Sequence, residues 1–187
     1  MFDHLHWERE SSRYGDPLIL FKTRFDRLRH PQSGKSFERL ILESVDWVNC
    51  VAINTDGQLV MVRQFRFGAA STTLETPGGM VDPGEDSETA IRRELIEETG
   101  FVGGTWSYLG AVQPNPAIHD HLCHHWLGVD VELDGAPKNE GGEFIQVELH
   151  SPAQVMHAIQ AGEIQHALAL SVLSRVYNIW ATPTVDR

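Results

Sequence analysis

The stretch Gly78–Phe101, GGMVDPGEDSETAIRRELIEETGF, crowds Glu94, Glu97 and Glu98 into the end of a segment with helical periodicity. At about 100° per residue the three carboxylates share one arc of roughly 100°, beside the apolar edge of Ile91 and Leu95. Like charges three and four residues apart repel, and carboxylates in the last turn oppose the helix dipole. A solvated acidic face with Arg92 and Arg93 as local partners is the plain alternative. Arg93 can reach Glu97 four residues on, yet one arginine cannot neutralise three carboxylates. A divalent cation can, and hard oxygen ligands on a rigid helix suit Mg²⁺, with Mn²⁺ as a substitute. Asp86 or Ser87 is positioned to cap the start of the helix, and Gly100 suits the left-handed position after its end. Before it, Gly78-Gly79 permits close backbone approach, and Pro83-Gly84 makes a tight turn.

The chain has 187 residues, 41% of them hydrophobic, which supports one well-buried core. A formal charge of -11 gives no general attraction to phosphate backbones or anionic lipid, so nucleic acid and membrane are not expected partners. The opening MFDHLHWERESSRYGDP carries charges and no apolar core, and reads as neither signal peptide nor membrane span. Cys50 and Cys123 each lie in an apolar run and read as buried thiols of a reducing compartment, which places the protein in the cytoplasm.

Alternating apolar runs predict a long hairpin over residues 18–44, turning at Pro31 and Gly34, and a second hairpin turning at Asp56-Gly57. TTLETPGG reads as a short strand running into a glycine turn. WSYLGAVQPNP and HLCHHWLGVDVEL read as further strands, and SPAQVMHAIQAG and IQHALALSVLSRVYNIW as amphipathic helices. The expectation is an N-terminal β extension over 1–45, followed by a catalytic domain over 46–187. His119, His121, His124 and His125 around Cys123 lack convincing zinc spacing and are read as polar lining or packed histidines.

The segment reads Gly79, five residues, Glu85, seven residues, then REL, IEETGF, with nine specified positions at fixed spacing. It resembles the Nudix box of the Nudix hydrolases. FDRLRHPQSGKSFERLILES, VRQFRFGAASTTLETPGG, Pro116 and EFIQVELHSPAQVMHAIQAGEI resemble the branch that hydrolyses ADP-ribose and nucleoside diphosphate sugars. The resemblance implies an α/β/α sandwich, α+β in class, with a mixed sheet. It also implies metal-dependent cleavage of a nucleotide pyrophosphate bond.

The same resemblance implies the site. Glu94 and Glu98 are the principal metal ligands, Glu97 is a further ligand or bridging-water partner, and the Gly78 carbonyl is a backbone ligand. Glu85 orients Arg93, which orients the ligating glutamates. The general base falls in PKNEGGEF, with Glu143 preferred over Glu140 and Gly141-Gly142 expected to let the loop close over substrate. Arg63 and Arg66, expected to share a strand face, form with Arg39 a diphosphate clamp. Glu75 is read as a ribose hydroxyl acceptor, Pro116 as the branch's marker proline beside substrate, and Trp47 as either a base-stacking or a core residue. A two-fold dimer with exchanged N-terminal sheets is implied as well. Two other readings are a hydrolase that sanitises nucleoside triphosphates and a non-catalytic ADP-ribose sensor. The long N-terminal hairpin speaks against the first, and the intact box carboxylates against the second.

Overall fold

The computed structural model describes residues 3–138 and 144–180. It comprises two compact units, Met1–Val45 with Gln113–Leu122, and Asp46–Val112 with Cys123–Arg187.

In the first unit β1 (Glu8–Pro17), β2 (Lys22–Arg29) and β3 (Ser36–Glu43) form an antiparallel sheet in the order β1-β2-β3. The hairpin expected over 18–44 is β2 and β3, but a third strand precedes it. All of β1 is exposed and lacks alternation, which is why apolar periodicity overlooked it. Its backbone ladder to β2 is flanked by charge pairs. Arg27 and Arg29 pair across the strands with Glu10, and buried Asp26 accepts from Ser12 Oγ at 2.6 Å and Arg24 Nε at 3.0 Å. Residues 113–122 join this unit through a parallel bridge from Leu42 to His119 and through Phe21, which stacks on His119 at 5.3 Å.

The second unit is built on a mixed seven-stranded sheet with the path β10-β5-β4-β9-β8. Its members are β4 (Trp47–Asn54), β5 (Leu59–Arg66), β6 (Ser71–Glu75), β7 (Gly78–Met80), β8 (Phe101–Val112), β9 (Cys123–Leu133) and β10 (Ile145–His150). Among the described residues only the β4 to β9 pairing of this sheet is parallel. Asp56-Gly57 does turn the β4–β5 hairpin, as a four-residue connection rather than the two-residue turn expected. Gly57 takes φ 76° and donates its N–H to Asn54 O.

Beyond the Ile53–Leu59 pair the two hairpin strands diverge, and the fork between them is filled by β6 on β5 and β7 on β4. Asn49 locks the wedge, its side-chain amide donating to Thr76 O and Pro77 O and its side-chain oxygen accepting from Thr76 Oγ1. The helix α1 (Ser87–Thr99) covers one sheet face, with Ile91 and Leu95 packed on Val48, Cys50, Val60 and Trp126. On the other face α2 (Pro152–Gln160) and α3 (Ala167–Val176) bury Val155, Val172 and Leu173 against Val51, Leu59 and Met61. The layering is the α/β/α sandwich expected, with a separate N-terminal antiparallel sheet. Cys50 and Cys123 are buried free thiols. Among the described residues no helix is long and apolar enough to cross a membrane.

Candidate active site

Local chemistry places α1. Asp86 caps it, accepting from the backbone N–H groups of Glu88 and Thr89, and Gly100 ends it at φ 75°. With Ala90, Ile91 and Leu95 committed to the sheet, helical geometry turns Glu94 and Glu98 toward β7. There Gly79 makes room for Glu94, while Gly78 lies tight against β4 and offers its N–H to Glu98. A Cβ on Gly79 would lie 2.4 Å from the Glu94 carboxylate, and one on Gly78 would lie 2.2 Å from Val48 O. Glu98, only 8% exposed, accepts from the Gly78 N–H at 3.0 Å.

Arg93 organises the remaining charges. Its Nε and Nη2 donate to Glu85, Nη2 also donates to Met80 O, and Nη1 donates to Glu94 at 2.9 Å and Glu97 at 3.0 Å. These bonds, Glu85's foremost, hold the guanidinium more firmly protonated than usual, and the same contact lowers the Glu85 carboxyl. Behind the sheet surface, burial and then the Glu98 charge push the Cys50 thiol well up.

Because Glu94 and Glu97 turn toward Arg93, no three acidic, histidine or cysteine side chains among the described residues stand in metal-ligating array. The donor chemistry nevertheless fits a hard divalent ion: Glu94 and Glu97 share one guanidinium, Glu98 accepts from the Gly78 N–H, and all three offer carboxylate oxygens, with Glu94 seated against Gly79. When bound, such an ion lowers the pKa of a water and neutralises phosphate charge.

The expectation that Arg63 and Arg66 share a strand face is overturned. They are three residues apart on a regular strand, and alternation sends them to opposite faces. Arg63 falls with Leu59 and Met61 and forks onto Glu148, which also contacts His150 at 2.9 Å. Arg66 forks onto Glu75 at 2.9 and 2.7 Å. Glu75 is 1% exposed. Burial alone would raise its carboxyl, but Arg66, His166 and Thr73 outweigh burial and hold it well below the usual range. His166 Nδ1 stands 2.6 Å from Glu75 Oε2. Neither His166 nor Glu148 was singled out from sequence, and the only local signal is that His166 immediately precedes an amphipathic helix.

Of the other expected residues, Arg39 is on β3 of the first unit, its guanidinium 5.1 Å from the Phe37 ring centroid. Pro116 is an exposed turn residue of that same unit, in a turn closed by Ile118 N–H on Asn115 O. Trp47 opens β4, half-buried, between Met80 and Cys123. Glu140 and Glu143 lie outside the described residues. The histidines do not act together: His119 and His121 stack in the first unit, His124 bonds to Asp46 and Tyr108, and His125 is fully buried.

Comparison with known proteins agrees with this geometry. The NUDIX domain model matches residues 45–170. The chain is 27% identical over 136 residues to the ADP-ribose pyrophosphatase of Bacillus subtilis (strain 168), covering 72% of this chain and 74% of that protein. It is 33% identical over 126 residues to the ADP-sugar pyrophosphatase of Mus musculus, covering 64% and 56%. The crystal structure of an ADP compounds hydrolase superposes with a TM-score of 0.79 at 21% identity, over 93% of each chain, and so shares the fold. With the box, its glycine cradle and the matching family model all in one unit, the chain belongs to the Nudix family and is a Nudix hydrolase.

Proposed function

We propose that the protein hydrolyses the pyrophosphate bond of ADP-ribose or a related nucleoside diphosphate sugar, releasing a nucleoside monophosphate and a sugar phosphate. The observation that carries this is the seating of Glu98 and Glu94 against Gly78-Gly79, ordered by Arg93, in a chain similar to pyrophosphatases of ADP-ribose and ADP-sugars among other relatives. Glu94, Glu97, Glu98 and the Gly78 carbonyl would hold Mg²⁺ or Mn²⁺. Arg93 keeps the carboxylates apart and aimed, and Glu85 fixes the plane of Arg93.

Arg66 is the diphosphate clamp, its guanidinium plane set by the buried Glu75. The base that removes the proton from the attacking water is Glu143, or Glu140 in its place, and Glu143→Gln should lower kcat by about 10²–10⁴-fold with metal affinity unchanged. Exposed Leu18, Leu20 and Leu40 support a homodimer formed through the N-terminal sheet, with Arg39 and Pro116 serving the partner's site. Buried free thiols support a cytoplasmic setting.

Incubation with a panel of nucleotide sugars, dinucleotides and nucleoside triphosphates in Mg²⁺, followed by product identification, tests the reading. ADP-ribose should yield AMP and ribose 5-phosphate, and a chelator should stop the reaction. Preferential triphosphate hydrolysis with no turnover of any nucleotide sugar would overturn it.

A further inference from the structure

On the α1 face of the sheet, one strand from Gly79 across Val48, three side chains form an unbroken hydrogen-bonded series. His124 Nε2 lies 3.0 Å from an Asp46 carboxylate oxygen, and His124 Nδ1 lies 2.9 Å from the Tyr108 hydroxyl. Each comes from a different element: Asp46 immediately before β4, Tyr108 from β8 and His124 from β9. A carboxylate that accepts from Nε2–H fixes the tautomer, leaving Nδ1 as the acceptor for the phenol proton. Tyr108 is half exposed, and the Trp126 ring stands 5.0 Å from its own, giving the phenol an apolar wall on one side. A nucleophile bonded to a base, with the base held by a carboxylate, is the arrangement by which weak hydroxyl nucleophiles are activated.

We propose that Tyr108 is a second reactive centre of this chain, a phenol activated by His124 and Asp46 that accepts an acyl group from an activated ester. The Tyr108 oxygen attacks the carbonyl carbon, and a new tyrosyl ester C–O bond forms as the bond to the leaving alkoxide or phenolate breaks. The phenol proton passes to His124 Nδ1 and from there to the departing oxygen, so no oxidant or further reactant is needed. Asp46 stays ionised and orients the imidazole.

The chain contains its own control. Tyr14 is more exposed than Tyr108, at 65% against 50%, and its hydroxyl donates to the Glu43 carboxylate at 3.4 Å rather than to a histidine. Full-length protein is treated with p-nitrophenyl acetate near neutral pH, and the acetylated tyrosines are timed by peptide mass spectrometry. Tyr108 should be acetylated about 10²-fold faster than Tyr14, with His124→Gln and Asp46→Asn each bringing it down to the Tyr14 rate. Tyr108→Phe should remove the fast event and leave phosphoanhydride hydrolysis unchanged, which marks the two centres as separate. Equal rates at Tyr14 and Tyr108 in the unaltered protein would overturn the proposal. So would a Tyr108 rate that survives both His124→Gln and Asp46→Asn.

Discussion

Glu98 accepts a hydrogen bond from the backbone N–H of Gly78 at 3.0 Å, tying the last turn of α1 to the strand in the sheet's fork. A glutamine at this position keeps an oxygen that can accept the same bond, so Glu98→Gln should fold with an unchanged melting temperature. The charge is lost, and activity should fall by more than about 100-fold, beyond the cost of losing an outer partner alone. Steady-state kinetics with a Mn²⁺ titration decide it. Full activity would remove Glu98 from the ligand set.

The adjacent glycines should fail differently when replaced by alanine. At Gly79 the new methyl meets the end of the Glu94 side chain, which can swing away, so Gly79→Ala should fold and lose metal affinity. At Gly78 it meets the Val48 backbone at 2.2 Å, which cannot yield locally. Gly78→Ala should therefore destabilise by about 1–3 kcal/mol or more, read as a lowered urea midpoint. The same loss of stability in both variants would contradict the distinction.

Arg93→Lys tests whether the planar fork is required. A lysine supplies a point charge and cannot serve Glu85, Glu94, Glu97 and Met80 O at their present separations. Metal affinity or activity should drop about 10–100-fold, as when other outer partners of a metal site are removed. Wild-type Mn²⁺ binding by calorimetry would show that net charge suffices.

The box was legible because its determinants are local: glycine spacing, an i to i+4 charge pattern and both caps lie within one short stretch. Opposite reasons hid the rest. β1 shows no apolar alternation, and its ladder to β2 is flanked by charge pairs. The partner of Arg63 is Glu148, 85 residues on, and only the antiparallel register of β5 with β10 brings it near. Arg63 and Arg66 take opposite faces because strand alternation separates residues three apart, a separation readable from their numbers alone. Segment 113–122 packs with the N-terminal unit by the Leu42–His119 bridge, a long-range contact with no sequence periodicity to announce it.

Acid sensitivity should centre on His125. Burial, then the nearby Arg175 and His124 charges, push its imidazole down to about 4. The unfolded chain takes up this proton at about pH 6.5 and the folded chain does not, so stability is complete above about 6.5 and is lost as pH falls toward 4. From that difference the loss approaches about 3 kcal/mol. Urea denaturation of wild type and His125→Phe at pH 7.5 and pH 5 should show a smaller pH dependence in the variant. Equal dependence would clear His125 of the effect.

The wedge in the β4–β5 fork also governs how this hydrolase can open. Gly78–Met80 is a three-residue strand, too short to persist alone, and it is paired with β4 where β4 and β5 diverge. The Cys50 amide donates to Pro77 O at 3.0 Å while the Asn49 side chain clasps Thr76 and Pro77. Freeing Gly78 and Gly79 therefore requires breaking the β4–β7 ladder together with the Cys50 and Asn49 bonds to residues 76 and 77. In native-state hydrogen exchange the Cys50 amide should report the global unfolding free energy, with no lower-energy local opening. The two metal-facing glycines would then share the stability of β4.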